Sequence, residues 1–521
     1  MASVSWSCKV DQHETSTMLT NENRISSFRR YLPQVLACSA KNMFLLNFSL
    51  ATNLPTIIIP ALTGLNPANN PNEHLKISPE QQSWIASIFA LSVVFGCLLT
   101  GLLDPLGRKK SIILCNIPFL FSWIYLYYSE SVWAIYVALA VMGVSSGLSE
   151  APVLNYIGEL SEPGIRAILA SSTGLVFEFG AALDYFLGNQ MPWRKAVLIY
   201  TVVPIVAISI MLFVPETPQW LLSHNRKNDA LKSLQWLRGW VQPNDVQIEF
   251  EDLQRYRAIA YACYECEKKG TECNHLQPKI TERLRELLRR KTWFPCVLVI
   301  ILGFNSLIGG MLFRPFFVPI LFQYKSPIDP NEVLVWLGYV GIIANILIMI
   351  IVRSIGKRRI NLISFSLAIT ILYGAYGFLY LNESTGSILQ YFPVFGFSTI
   401  FFVSCLGLRT IPNLLTSEIF PYRSKSLAAG VTMAIYYIES SVSSKTFNSL
   451  QAAITLPGQC IFYASTGVLG FVIIYLILPE TEGRTLEEIE MYFSDKNRKF
   501  NDIHIRSIST NPNNNILRSI K

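Results

Sequence analysis

From Val35 onward the chain alternates between apolar runs and short polar turns. Each run is about twenty residues long, which is the length at which a helix rising about 1.5 Å per residue crosses a hydrocarbon core about 30 Å thick. The runs fall near Val35–Leu62, Trp84–Leu103, Ser111–Ser129, Val132–Ile157, Ala167–Leu187 and Lys195–Val214. They resume near Trp293–Phe322, Val333–Val352, Ile360–Leu381, Ile388–Leu415, Ser426–Leu450 and Cys460–Leu478. The pattern predicts an all-α membrane protein with twelve transmembrane helices in two six-helix halves, residues 33–214 and 293–479. Residues 215–292 form a polar linker between the halves, and residues 1–32 and 480–521 form polar tails.

Several local signals refine this picture. Lys41, Asn47, Thr52-Asn53 and Pro55 interrupt the first run and predict a broken segment that lines a cavity, because lipid cannot satisfy freed backbone groups. Ser78 and Gln81 have capping-box spacing, with Pro79 at the first helical position. Within the linker, Ala230, Leu231, Leu234 and Leu237, and then Leu284, Leu287 and Leu288, recur at helical spacing. They predict amphipathic helices against the inner mouth of the bundle, the alternative being a plain connector.

Composition agrees with the pattern. A chain of 521 residues that is 51% hydrophobic and 15% charged carries more apolar surface than a soluble core can hide. The net charge of +8 is dispersed over short loops and the linker, so it is read as topology rather than as a nucleic-acid surface. Basic residues cluster after the second run (Arg108, Lys109, Lys110), after the fourth (Arg166), after the eighth (Arg353, Lys357, Arg358, Arg359), after the tenth (Arg423, Lys425) and through the linker. Both termini are therefore expected in the cytoplasm. The N-terminal tail has no apolar core of the signal-peptide kind and is expected to stay uncleaved.

Candidate chemistry is sparse. Cys38, Cys97, Cys115, Cys405 and Cys460 lie singly in apolar runs and read as packing residues. Cys263, Cys266, Cys273 and His275 supply a zinc-like donor set in the linker, at a spacing that matches no familiar finger; free thiols are the alternative. Asn382-Glu383-Ser384 is a glycosylation acceptor just beyond the ninth run, whereas Asn47-Phe48-Ser49 lies inside the first. No nucleotide-binding loop, Ser/His/Asp arrangement or phosphate-cradling glycine pattern is present in the sequence, so the expectation is solute movement with no cofactor and no enzymatic step.

The two halves repeat one another. Asp104-Pro-Leu-Gly107-Arg108-Lys109 answers Arg353-Ser-Ile-Gly356-Lys357-Arg358, and Tyr156-Ile-Gly-Glu159 through Arg166 answers Ser417-Glu418 through Lys425. Pro215-Glu216-Thr217 answers Pro479-Glu480-Thr481, which continues to Glu488. These paired signatures resemble the sugar porter family of the major facilitator superfamily, over roughly Pro33 to Met491. The stretch from Leu221 to Arg226, continuing to Leu237-Arg238-Gly239, looks most like the insect trehalose-transporter-like branch.

The resemblance implies a major facilitator fold and a monomeric plasma-membrane carrier in the lipid bilayer, with a sugar-like solute as partner. It implies facilitative transport of a hexose or trehalose by alternating access. It also implies a gating network of Asp104, Gly107, Arg108, Glu159, Arg166, Glu216, Lys357, Glu418 and Glu480 at the cytoplasmic helix ends. Gly107 allows a tight turn there, Asp104 is placed to accept from a helix N-terminus, and Arg108 to reach a carboxylate across the interface. Arg353 stands where the family has an acid and Lys425 where it has an arginine, so the second latch is expected to be weaker or rewired.

The solute positions depart from the family pattern: Gly174, Asn305-Ser306, Met311, Pro412-Asn413 and Tyr436-Tyr437 stand where the family has amides and tryptophans. The candidate solute-contacting set is Glu178, Asn305, Ser306, Arg314, Asn413, Tyr436 and Tyr437. Glu150, Glu178, Asp184, Arg314, Arg409, Glu439 and Lys445 are ionisable residues within runs and are functional candidates by default. Arg314 and Glu178 are the most central, either contacting solute or forming a structural pair. Gly309-Gly310 and Pro315 predict a kink that turns Asn305 and Arg314 toward the centre. Two alternatives remain at this stage. One is a proton-coupled carrier of another small polar or acidic solute; the other is a non-transporting sensor, which the altered amides favour and the retained gate motifs oppose.

Overall fold

The computed structural model describes residues 26–260 apart from 68 and 72, 287–381 apart from 309 and 310, 391–494 apart from 422, 423 and 485, and residue 505. Asn382 and the set Cys263, Cys266, Cys273 and His275 lie outside the described residues. Among the described residues the only regular structure is helical. Ten of the helices are long and apolar enough to cross a membrane.

The first six long helices are α1 (Ser27–Leu62), α2 (Pro79–Leu99), α3 (Arg108–Tyr127), α4 (Val132–Leu160), α5 (Pro163–Gln190) and α6 (Trp193–Phe213). The linker folds into short helices α7 (Pro218–Ser223), α8 (Lys227–Leu237) and α9 (Gln247–Ala260). Then come α10 (Arg290–Ile308), α11 (Phe317–Gln323), α12 (Pro330–Ile355), α13 (Lys357–Leu381), α14 (Phe392–Val403), α15 (Thr410–Glu418), α16 (Lys425–Ile477) and α17 (Leu486–Ser494). The capping box at Ser78 forms as the spacing predicts, with Gln81 N donating to Ser78 Oγ at 3.3 Å and Ser78 N to Gln81 Oε1 at 2.9 Å. In α8, Ala230, Leu234 and Leu237 are buried, as their spacing requires.

Three elements differ from the sequence pattern. α1 is a continuous helix of 36 residues, not a broken one, and it starts ahead of the predicted tail boundary. Its polar residues are met by partners instead of by a break: Asn47 Nδ2 donates to Asn116 Oδ1 at 3.0 Å, and Trp123 Nε1 donates to Asn47 Oδ1 at 3.3 Å. α5, which carries Arg166, Glu178 and Asp184 within 28 residues, is not among the ten apolar helices.

α16 spans the eleventh and twelfth predicted runs in 53 residues, with a non-helical Thr455 at φ 62° inside it. Gln459 Nε2 donates to the Phe447 carbonyl at 2.7 Å. Twelve residues of unbroken helix would separate those groups by about 18 Å, so the chain reverses at Thr455 into two arms.

Two helix pairs make the most extensive contacts between the halves. α2 packs on α16, and α5 packs on α12. The second is tight enough that a Cβ on Gly338 would lie 2.6 Å from Ala182 Cα, one on Gly341 2.5 Å from Glu178 Oε2, and one on Gly174 2.8 Å from Asn345 Oδ1. As residue numbers rise on α12 they fall on α5, so the two helices run antiparallel along a seam of small residues.

Candidate solute site and gating clusters

The centre of the α5–α12 seam is charged. Glu178 is fully buried, and Arg314 Nη2 lies 3.2 Å from both of its carboxylate oxygens. Arg409 bonds the same carboxylate. Arg314 Nη1 donates to Asn53 Oδ1 at 3.0 Å, and the Tyr185 hydroxyl donates to that oxygen, also at 3.0 Å. Each guanidinium also stacks on a ring, Arg314 at 4.4 Å from the Phe401 centroid and Arg409 at 4.8 Å from that of Phe177. Two arginines on one buried carboxylate are tolerable only with such partners, since removing one member of a buried pair typically costs about 3–5 kcal/mol.

Local backbone breaks supply this geometry. Beyond α10, residues Met311–Phe316 form a tighter turn that carries Arg314 inward. Between α14 and α15 the residues Ser404–Leu408 form a wide turn, and Arg409 N reaches back to the Ser404 carbonyl at 3.0 Å. That extra residue per turn sets the direction of Arg409. Arg314, Tyr185, Phe313 and Phe401 line a cavity of about 10 Å³, room for a single water.

Of the other predicted solute residues, Ser306 and Tyr436 contact each other beside this centre, while Asn305 and Asn413 stand apart from it. The Asn305 side chain packs on Gly470 in the second arm of α16, and neither amide atom has a hydrogen-bond partner. Ser306 Oγ donates to the Gly303 carbonyl at 2.7 Å. Asn413 is exposed on α15, and Tyr436 and Tyr437 stand edge to face, 5.3 Å apart. The structure thus joins Arg314 to Glu178 and does not bring Asn305 into that cluster. Asn345 and the pairing of Arg409 with Glu178 were not anticipated, and Asn53 was read only as one of the residues interrupting the first run. For Asn345 the only available signal was a polar residue in an apolar run.

The basic end of the bundle repeats one device twice. Gly107 at φ 92° and Gly356 at φ 91° turn into α3 and α13, a backbone conformation that favours glycine. Glu216 Oε1 accepts from Arg108 N at 3.0 Å and Lys109 N at 3.1 Å. Glu480 accepts from Lys357 N and Arg358 N, each at 3.1 Å. Both carboxylates cap a helix N-terminus. Glu216 fills that role for α3, and the Asp104 side chain lies outside the described positions. Burial pushes the Glu216 carboxyl above the usual range, against the backbone N–H groups of Thr217 and Lys109.

Side chains close each cluster within its own half. Arg108 Nη2 reaches Glu159 of the same half at 3.0 Å, and Thr217 Oγ1 donates to Glu159 at 2.5 Å. Arg166 Nη2 donates to the Ser161 carbonyl at 2.9 Å. In the second half Lys357 Nζ meets Glu418 at 2.5 Å and Glu482 at 3.1 Å. Glu482 was missed in the sequence, as was Glu162, which binds Arg30 at 3.0 Å and Arg238 at 3.2 Å.

At the opposite end α2 and α16 are latched. Ser441 Oγ donates to the Ser87 carbonyl at 3.2 Å, and Asn448 Nδ2 to the Pro79 carbonyl at 3.1 Å. Lys445 Nζ donates to Ser83 Oγ at 3.0 Å and sits 4.1 Å from the Trp84 ring centroid. In the loop nearby, Glu73 accepts from Trp193 Nε1 at 2.7 Å and Arg194 Nε at 3.1 Å. Burial pushes the Glu73 carboxyl up, but the bonds from Arg194, Leu75 N and Trp193 outweigh it and hold the group below its usual range.

The chain is 27% identical over 457 residues to a facilitated trehalose transporter of Culex quinquefasciatus, covering 87% of this chain and 85% of that one. It is 26% identical over 473 residues to a protein of the same name in Apis mellifera ligustica, covering 90% of each. Among solved structures it resembles the proton:xylose symporter XylE bound to 6-bromo-6-deoxy-D-glucose, with a TM-score of 0.68 at 17% identity, covering 88% of this chain and 99% of that one. It also resembles the inward-open conformation of XylE from E. coli, with a TM-score of 0.63 at 18% identity over 87% of this chain and 98% of that one. The chain therefore has the major facilitator fold. The family of sugar (and other) transporters matches residues 35–493, and the chain belongs to it.

Proposed function

We propose that the chain is a facilitative carrier that moves a sugar-like solute of the hexose or trehalose class across the plasma membrane by alternating access. The observation that carries this reading is where the contacts sit. The two halves meet at the Glu178 centre and at the α2–α16 latch, while the Arg108–Glu159–Glu216 and Lys357–Glu418–Glu480 clusters each close within one half. Two units joined mainly along two helix pairs, α5–α12 and α2–α16, can rock about those pairs while the clusters at the basic end part and meet.

The insect relatives named as facilitated trehalose transporters support the solute class. The excess of Arg and Lys after the second, eighth and tenth runs supports cytoplasmic termini and a cytoplasmic basic end, with Asn382 outside as a glycosylation acceptor. In this reading Arg314, Glu178 and Asn53 shape the centre of the solute path, and the two capped helix starts act as the inner gate of a monomer.

The test is uptake by the purified protein in proteoliposomes, with labelled glucose and trehalose supplied down a gradient and with or without an imposed pH difference. Accelerated, saturable entry of either sugar, independent of the pH difference, is expected. No entry above protein-free vesicles would overturn the reading.

A further inference from the structure

One buried polar group lies outside every cluster above. Lys41 of α1 is fully buried, and its amine makes one hydrogen bond, 3.1 Å to Thr173 Oγ1 of α5. Among the described residues no carboxylate pairs with it. The next residue, Asn42, donates at 3.1 Å to Ser172 Oγ, and its own carbonyl oxygen is buried without a partner. Asn345 enters from the other half beside Gly174, where its oxygen takes the space a side chain at 174 would fill, while its Nδ2 is satisfied by the Gly341 carbonyl at 3.0 Å. Unused donors on Lys41 and an unused acceptor on Asn42 therefore sit on consecutive residues, with a third polar oxygen, on Asn345, at the next residue along α5.

We infer that Lys41, Asn42 and Asn345 form a hydroxyl-binding subsite for a neutral polyhydroxylated solute, displaced from the family's usual amides. A hydroxyl is both donor and acceptor, so separate hydroxyls of one solute accept from Lys41 Nζ and donate to Asn42 Oδ1 and Asn345 Oδ1. An anionic group fits poorly, because two of the three residues present carbonyl oxygens. An apolar solute would leave the amine and both oxygens unmatched, which disfavours it strongly. Since Asn345 comes from the second half and the other two from the first, the subsite is complete only while α5 and α12 are closed on each other. This deepens the sugar-carrier reading and rests on it.

The experiment measures uptake kinetics of glucose and of its deoxy analogues in proteoliposomes, with thermal midpoints of the same preparations. Lys41→Met keeps the chain length and removes an unpaired buried amine, so its midpoint should hold or rise. Its half-saturation concentration for glucose should increase about tenfold, and its preference for glucose over the deoxy analogue hit at the subsite should flatten, the signature of a lost hydrogen bond. Asn345→Ala should flatten the same preference without touching α1. A lowered midpoint with unchanged half-saturation and unchanged preference would make Lys41 a structural residue and overturn the subsite while the carrier reading stands. Absence of any sugar uptake or binding by the native protein would overturn both.

Discussion

Gly341 and Glu178 occupy one site from two helices: a Cβ on Gly341 would lie 2.5 Å from Glu178 Oε2, so the missing side chain on α12 is what admits the carboxylate of α5. That carboxylate is shared by two arginines, and the consequence is an asymmetry between them. Glu178→Gln strands two buried guanidiniums and should destabilise by about 3–5 kcal/mol. Arg314→Gln leaves Arg409 on Glu178 and should lose less, roughly 1–3 kcal/mol. Thermal unfolding in detergent measures both, and an equal loss in the two variants would show that Arg409 does not support the carboxylate.

Arg108→Ala removes a pair with side chains 15% and 13% exposed at a helix end, while Thr217 stays on Glu159. Stability should fall by about 1–3 kcal/mol, with insertion intact. Uptake should fall several-fold, because the closed arrangement of the basic end is less populated. Unaltered uptake kinetics at normal surface expression would show that the cluster is not part of the gate.

Lys445→Met breaks the bond to Ser83 and the ring contact with Trp84, the latter worth about 0.5–2 kcal/mol. The α2–α16 end should then open more often. A cysteine placed at the buried position 441 should react faster with an impermeant thiol reagent in Lys445→Met than in a background that keeps Lys445. Equal rates would place the latch elsewhere.

Glu73 gives the pH dependence a definite sign. Its folded carboxyl lies below its usual value, so the stability it contributes is fully present above the unfolded value of about 4.3 and is lost as pH falls through the folded value. Thermal midpoints should therefore fall on acidification in that range, and Glu73→Gln should flatten the acid limb. Parallel acid limbs in the native protein and the variant would rule the group out.

Asn382 reports on orientation. Expressed in an animal cell, the native protein should shift in mobility on glycosidase treatment and Asn382→Gln should not. A shift that survives the substitution would reverse the assignment of inside and outside.

The fold was largely legible because runs of about twenty apolar residues have few other uses, and because the Gly107 and Gly356 motifs mark the same turn twice. The site was legible only where a charge stands in an apolar run: Glu178 and Arg314 could be named, and they do meet. What escaped depends on helix rotation. Asn305 lies on α10 and faces Gly470, whereas Arg314 lies in the separate turn Met311–Phe316, and the wide turn at Ser404–Leu408 redirects Arg409 by an amount no residue in it announces. Asn345 filling the space at Gly174 joins residues 171 positions apart on different halves, which no local pattern encodes.

The reversal at Thr455 has a consequence for how the protein is made. Phe447 and Gln459 are already bonded across a turn of a few residues, so the two arms of α16 can pair as soon as both have left the ribosome. The first arm carries Glu439, Ser441 and Lys445, which an isolated segment would have to present to lipid. Entering the bilayer as a paired hairpin lets the more apolar second arm carry the polar one in with it. The surface that later grips α2 is then delivered last, when the helix it must meet is already in place.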